Sequence, residues 1–177
     1  KATVMYAGPS IHSAAGAGGD PRHGPELKPL ILDAVMLVER VHRRFLDVVK
    51  DELDRLGRTD VNPVQAVLLH NIGDADLTAG DLKTRGYYLG TNVSYNVKKL
   101  TEAGCLVHER CTEDRRAVRI RLTDKGRRVA AIVDALYEKN TRTIGEVGGL
   151  GAVDLERLSQ SLSRLDRFWD DQIRYRL

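Results

Sequence analysis

From Leu27 to Leu56 apolar residues keep the three-or-four spacing of a helix: Ile31, Val35, Val38, Val41, Phe45, Val48 and Leu53, with Gly57 as the stop. Asn62-Pro63 opens a second helix, Asn as N-cap and Pro in the first turn, where its missing N–H costs nothing. It carries Val64, Val67, Leu68 and Ile72 and ends at Gly73. Thr78-Ala79-Gly80-Asp81 reads as a capping box, with Asp in place of the usual Glu or Gln. It starts a short helix with Leu82 inward and Gly86 at its close. A further helix starts at Thr91 or Asn92, buries Val93, Val97 and Leu100, and stops at Gly104. Two short helices joined by a tight glycine-containing turn have helix-turn-helix anatomy.

The period then changes from helical to alternating. Leu106 to Cys111 and Ala117 to Leu122 read as two strands joined by the charged turn Glu113-Asp114-Arg115-Arg116. In the second strand Val118, Ile120 and Leu122 point inward, Arg119 and Arg121 outward. Thr123 caps a helix expected to reach about Thr143, with Gly145, Gly148, Gly149 and Gly151 breaking it. A last helix, from about Val153 to Arg176, carries Leu155, Leu158, Leu162, Leu165, Trp169 and Ile173 in alternating steps of three and four, a coiled-coil-like seam. Residues 1–26, rich in Ala, Gly, Pro and Ser, have no period and read as a flexible arm.

Composition adds little until it is resolved along the chain. The 177 residues, 30% of them charged, carry a net charge of only +3. Between Lys83 and Arg128, however, stand 12 Lys or Arg against 5 Asp or Glu, a local balance of +7 that leaves −4 for the rest. A basic segment in an otherwise acidic chain suits a polyanion-facing surface. No apolar run approaches the roughly 20 residues of a membrane span, and the N-terminus lacks the apolar core of a signal peptide. Two cysteines rule out a disulfide scaffold, and a reduced, cytoplasmic setting is expected.

On a helical wheel Thr91, Ser94, Tyr95, Lys98, Lys99 and Glu102 fall opposite the buried stripe of the 91–103 helix. Thr91, Asn92, Ser94 and Tyr95 offer groups that hydrogen-bond base edges or phosphate, and Lys98 and Lys99 neutralise phosphate. Arg115 or Arg116 at a hairpin tip can enter a narrow minor groove, with Asp114 orienting a guanidinium and Arg119 on the strand's polar face. Any one of these alone could be solvated surface; the capped helix before and the basic hairpin after favour double-stranded DNA.

The spacing Cys105-x-x-His108-x-x-Cys111 fails as a metal site. On a strand the cysteines stand about 20 Å apart and His108 points to the other face. The same distance excludes an intrachain disulfide; packed thiols are the simpler reading, with redox sensing through an intersubunit bond left open. No metal, cofactor or catalytic grouping has a local signature, and neither a phosphate loop nor a G-x-G-x-x-G element occurs. The expected architecture is α+β and mostly α. An arm (1–26) leads to an N-terminal helix for dimerisation (27–60). A winged helix-turn-helix (61–126) and C-terminal helices for dimerisation (127–177) follow. The middle is too small to bury both terminal helical regions, which favours a homodimer joined through Leu155, Leu158, Leu162, Leu165, Trp169 and Ile173 and reading a pseudopalindromic operator.

The order Leu77-Thr78-x-x-Asp81-Leu82, Val93-Ser94, Val97-x-x-Leu100-x-x-x-Gly104, Asp114-Arg115-Arg116 and Leu122-Thr123-x-x-Gly126 resembles the MarR family of winged-helix transcriptional regulators over about residues 27–177. The resemblance implies a bacterial DNA-binding homodimer, usually a repressor, associated with the nucleoid when bound and released by a small phenolic or amphipathic effector. By position it implies major-groove contacts from Ser94, Tyr95 and Lys98 and a minor-groove contact from Arg115 or Arg116. Many members have Arg where this chain has Tyr95, so base preference does not transfer. The segments 85–90 and 168–177 resemble an LdtR-like alphaproteobacterial branch associated with cell-envelope and stress genes. An effector bed of His42, Phe45, Leu69 and Tyr137 is suggested by apolar or aromatic character and helix placement. The alternative is a winged-helix protein-interaction module without DNA activity, which charge reversal at Arg115 and Arg116 would leave able to bind its partner.

Overall fold

The computed structural model describes residues 26–75, 77, 78, 81, 90–110 and 118–175; at 90–92, 110 and 118 this covers the backbone alone. The expected arm, the Leu82–Gly86 helix, Cys111, the turn with Asp114, Arg115 and Arg116, and Arg176-Leu177 lie outside the described residues, as do the side chains of Thr91 and Asn92. The chain divides into two units, residues 1–42 and 43–177.

Helix α1 is Leu27–Arg55. Its part in the first unit exposes nearly every apolar side chain, Leu30, Ile31, Leu32, Met36, Val38 and Val41 among them. Its part in the second unit is buried through Val49 and Leu53, with Phe45 and Leu46 packed partly beneath. The stripe of the sequence therefore shifts by one position: Val48 is exposed and Val49 carries the contact. The helix ends by a Schellman-type turn. Gly57 adopts φ 65°, and the Arg58 amide reaches back to the Leu53 carbonyl at 2.8 Å.

Helix α2, Pro63–Ile72, is the centre of the core. Ala66, Leu68, Leu69 and Ile72 are almost fully buried. Its start is fixed by a reciprocal cap. The Gln65 amide donates to Asn62 Oδ1 at 2.9 Å and the Asn62 amide to Gln65 Oε1 at 3.0 Å, an arrangement contributing about 1 kcal/mol. Strand β1 is the dipeptide Leu77–Thr78. Helix α3, Gly90–Glu102, leads to β2, Leu106–Arg110, and β3, Val118–Leu122.

The sheet is antiparallel in the order β1-β3-β2. Leu77 pairs with Ile120, Leu106 with Leu122 and His108 with Ile120, so one face of β3 packs on the helices. Ile120 and Leu122 are buried as the alternation requires, while Arg121 is exposed and Arg119 half-buried. The first strand has no counterpart in the sequence reading, because two residues are too few to show a period.

Helix α4, Asp124–Gly148, is N-capped by Thr123, whose Oγ1 accepts from the Gly126 amide at 3.1 Å. It buries Val129, Val133 and Leu136 against α2. The helix does not break near Thr143, as its glycines suggest. It runs through Gly145 and ends at Gly149, the residue with φ 64°. A lone internal glycine costs about 1 kcal/mol, too little to end an otherwise supported helix; a left-handed C-cap does end it. Helix α5, Ala152–Tyr175, has no buried residue. No described helix is long and apolar enough to cross a membrane.

Candidate nucleic-acid interface

One face of α3 is locked into the core. Val93 and Leu100 are at most 2% exposed and Val97 7%, the stripe expected from the wheel. Asn96 is also buried, a position the wheel did not single out. The opposite face is open, with Ser94, Tyr95, Lys98 and Lys99 exposed, Tyr95 by 59%. Glu102 closes this face toward the C-terminus, 2.9 Å from Lys99 Nζ and 4.0 Å from Lys98 Nζ. The hydrogen bond from Lys99 holds the Glu102 carboxyl below its ordinary range and raises the Lys99 ammonium. Exposed pairs of this kind contribute little, so exchanging Glu102 for a phosphate oxygen costs little.

Ahead of α3, Thr78 and Asp81 make the reciprocal hydrogen bonds of a capping box. The Thr78 amide and hydroxyl both donate to Asp81 Oδ2, at 2.8 and 2.7 Å, and the Asp81 amide donates to Thr78 Oγ1 at 3.1 Å. Aspartate thus performs the capping-box role, its shorter side chain reaching back to the Thr78 amide.

The far end of α3 is held from several directions. Gly104 turns the chain at φ 70°, and the Cys105 amide donates to Leu100 O at 2.8 Å. Thr123 Oγ1 donates to Gly104 O at 2.7 Å and the Thr123 amide to Cys105 O at 3.0 Å. Lys125 Nζ donates to Ala103 O at 2.8 Å and lies 2.9 Å from Asp60 Oδ2. Thr101 Oγ1 donates to Val97 O at 2.8 Å, which leaves its lone pairs to accept from His108 Nε2 at 3.3 Å. Sequence reasoning missed Asn96, Asp60 and Lys125. For Lys125 a sign was present: a cation in the first turn of a helix opposes the dipole and looks for a partner elsewhere.

On the sheet's outer face Arg121 Nη1 bonds Glu109 Oε2 at 3.1 Å. Cys105 is wholly buried, and burial raises its thiol above the ordinary range. No group of three or more His, Cys, Asp or Glu among the described residues could hold a metal ion.

Away from α3, Phe45 and Tyr137 stack with centroids 5.1 Å apart, and His70 lies 5.2 Å from the same Tyr137 ring. Burial raises the Tyr137 phenol. Two residues of the expected effector bed are thus brought together, with His70 as an addition. Leu69 lies wholly inside the core, and His42 is exposed on α1.

Residues 61–126 match the winged helix DNA-binding domain family. The chain is 34% identical over 156 residues to ExpG, the exopolysaccharide II synthesis transcriptional activator of Rhizobium meliloti, covering 88% of this chain and 80% of that one. Its fold is similar to that of Streptococcus pneumoniae FabT in complex with DNA, with a TM-score of 0.62, 19% identity, and coverage of 80% of this chain and 98% of that one. It is also similar to Staphylococcus aureus MarR in complex with salicylate and kanamycin, with a TM-score of 0.63, 16% identity, and coverage of 83% and 97%. An open helix face with a hydroxyl, a phenol and lysines, beside a three-stranded antiparallel sheet, agrees with these matches: the chain belongs to the MarR family of winged-helix transcriptional regulators.

Proposed function

We propose that this regulator binds a pseudopalindromic operator as a homodimer, with α3 in the major groove and Arg115 or Arg116 reaching the adjacent minor groove. The observation that carries the reading is the split character of α3, apolar and immobilised on one side, with Ser94, Tyr95, Lys98 and Lys99 presented together on the other. Thr91 and Asn92 at its start, with Asp114, Arg115, Arg116 and Arg119 around the wing, complete the proposed DNA contacts.

The dimer reading is supported by α5. Leu158, Leu162, Trp169 and Ile173 are 37–78% exposed, a row of apolar side chains left open among the described residues. At roughly 25 cal/mol per Å² such a row favours a partner, and a second copy supplies one by two-fold symmetry. Two copies of α3 would then enter successive major grooves about one helical turn apart.

The proposed effector is a small phenolic or amphipathic molecule resting on Phe45, His70 and Tyr137. Its binding would lower DNA affinity by linkage. Repression is the outcome when the operator overlaps the promoter. The activator role named for the Rhizobium meliloti relative favours a second reading, in which an operator upstream of the promoter recruits transcription.

Hydroxyl-radical footprinting of the region upstream of the protein's own gene tests the geometry. Two protected half-sites about one turn apart are expected. A single unpaired footprint, or none, counts against a dimer on an operator.

A further inference from the structure

Lys125 stands where it gains nothing from its own helix. It is in the first turn of α4, whose dipole repels a cation. Its ammonium instead donates to Ala103 O, a carbonyl just past α3, and lies 2.9 Å from Asp60 Oδ2. A cation at that end of α3 is on the favourable side of the dipole. Asp60 in turn is held by Arg58, whose Nε and Nη2 donate to its two oxygens at 3.0 and 3.2 Å. The side chains are one-quarter to two-fifths exposed, so water screens the contact only in part.

We propose that Asp60 and Lys125 are positioning residues for DNA reading, tying the α1–α2 turn to the C-terminal end of the recognition helix. The proposal rests on the reading that α3 reads an operator. From Ala103 to Tyr95 is about 12 Å of helix. A tilt of about 5° at the anchored end therefore moves Tyr95 by about 1 Å, enough to spoil a base-edge hydrogen bond. Phosphate contacts tolerate such a shift far better, because they depend on charge more than on angle.

The test separates positioning from charge by sign. Asp60→Asn removes a negative charge, so electrostatics alone predicts tighter binding to every DNA. Positioning predicts the opposite for the operator: about a threefold to fivefold loss, the size that partly exposed ion pairs support. Binding to an unrelated duplex should stay level or rise. Lys125→Met should also lose more on the operator than on the unrelated duplex, and the double variant should fall no further than the worse single one. Asp60→Glu keeps the carboxylate and should recover most of the loss. Melting temperature and dimer mass, measured alongside, keep stability separate from reading.

Amide hydrogen exchange at Gly104 and Cys105 supplies a readout that needs no DNA; it should quicken in Asp60→Asn and return toward wild type in Asp60→Glu. An Asp60→Asn protein that binds operator as tightly as wild type or more tightly overturns the proposal, as does unchanged exchange at both amides. If wild type itself shows no operator preference, the operator reading fails instead, and the exchange result alone decides whether the pair positions α3.

Discussion

The carbonyl oxygen of Cys105 lies 2.2 Å from the point a Cβ on Gly126 would occupy. The glycine of the Leu122-Thr123-x-x-Gly126 stretch is therefore a contact requirement: α4 approaches the exit of α3 too closely for any side chain. The obstructing atom is backbone and already accepts from the Thr123 amide, so it has little freedom to retreat. Gly126→Ala should cost about 1–3 kcal/mol of stability, the range of overpacked cores. Thermal unfolding measures it, and an unchanged or raised midpoint contradicts the contact.

Tyr95 is more than half exposed, whereas Val93, Val97 and Leu100 are buried in the core. Tyr95→Ala should leave the melting temperature within a degree or two, since exposed substitutions shift stability by about 0.5 kcal/mol or less. Operator affinity should fall about tenfold or more, the scale of a lost base contact. Anisotropy titration with operator and unrelated duplexes distinguishes this from a fall shared by both.

The α5 seam predicts an assembly defect. Leu162→Asp places a carboxylate in a row running from Leu155 to Ile173 in which no residue is buried among the described residues. Sedimentation should show a shift toward monomer, while the helical circular dichroism signal of the remaining fold persists. A dimer of undiminished stability would move the interface elsewhere, with the exposed apolar side chains of α1 as the next place to look.

For Asp60, burial opposes ionisation, but the hydrogen bonds from Lys125 and Arg58 outweigh it and hold the carboxyl below the ordinary carboxylate range. A depressed folded-state pKa means that the unfolded chain binds this proton first as pH falls. The stabilisation is therefore complete above the usual carboxylate pKa of about 3.9 and is lost below it, through the folded-state value. Urea unfolding between neutral pH and about pH 3 should show a shallower acid decline for Asp60→Asn than for wild type. Parallel declines would show that the pair contributes nothing to acid stability.

Burial raises the Cys105 thiol, which leaves little thiolate at neutral pH and no path for a reagent. In a Cys111→Ser background, Cys105 should react with a disulfide reagent only as fast as the protein unfolds. Reaction at the rate of a free thiol would reopen a redox role for this position.

The local devices were legible because each is written within a few adjacent residues. Asn62 and Gln65 announce the α2 cap, Thr78 and Asp81 their reciprocal hydrogen bonds, and Val93, Val97 and Leu100 the buried side of α3. Strand β1 was not legible: Leu77 and Thr78 belong to the sheet only because β3 passes beside them. The end of α4 was misplaced because glycine composition does not reveal which glycine adopts a left-handed conformation, and here it is Gly149. The Asp60–Lys125 contact joins residues far apart in the chain and leaves no period in either neighbourhood. The apolar row of α5 was visible as a seam, but its spacing alone could not say whether the same chain covers it.

Operator reading is tested most directly by equilibrium binding of the purified protein to a fragment from upstream of its own gene. An unrelated fragment of equal length is measured beside it, at several salt concentrations. Operator reading through α3 and the wing predicts preference for the protein's own fragment. It also predicts that log affinity falls linearly with log salt, as phosphates release their counterions. Equal, weak binding to both fragments at every salt concentration would contradict it, leaving a basic surface that senses charge and no sequence.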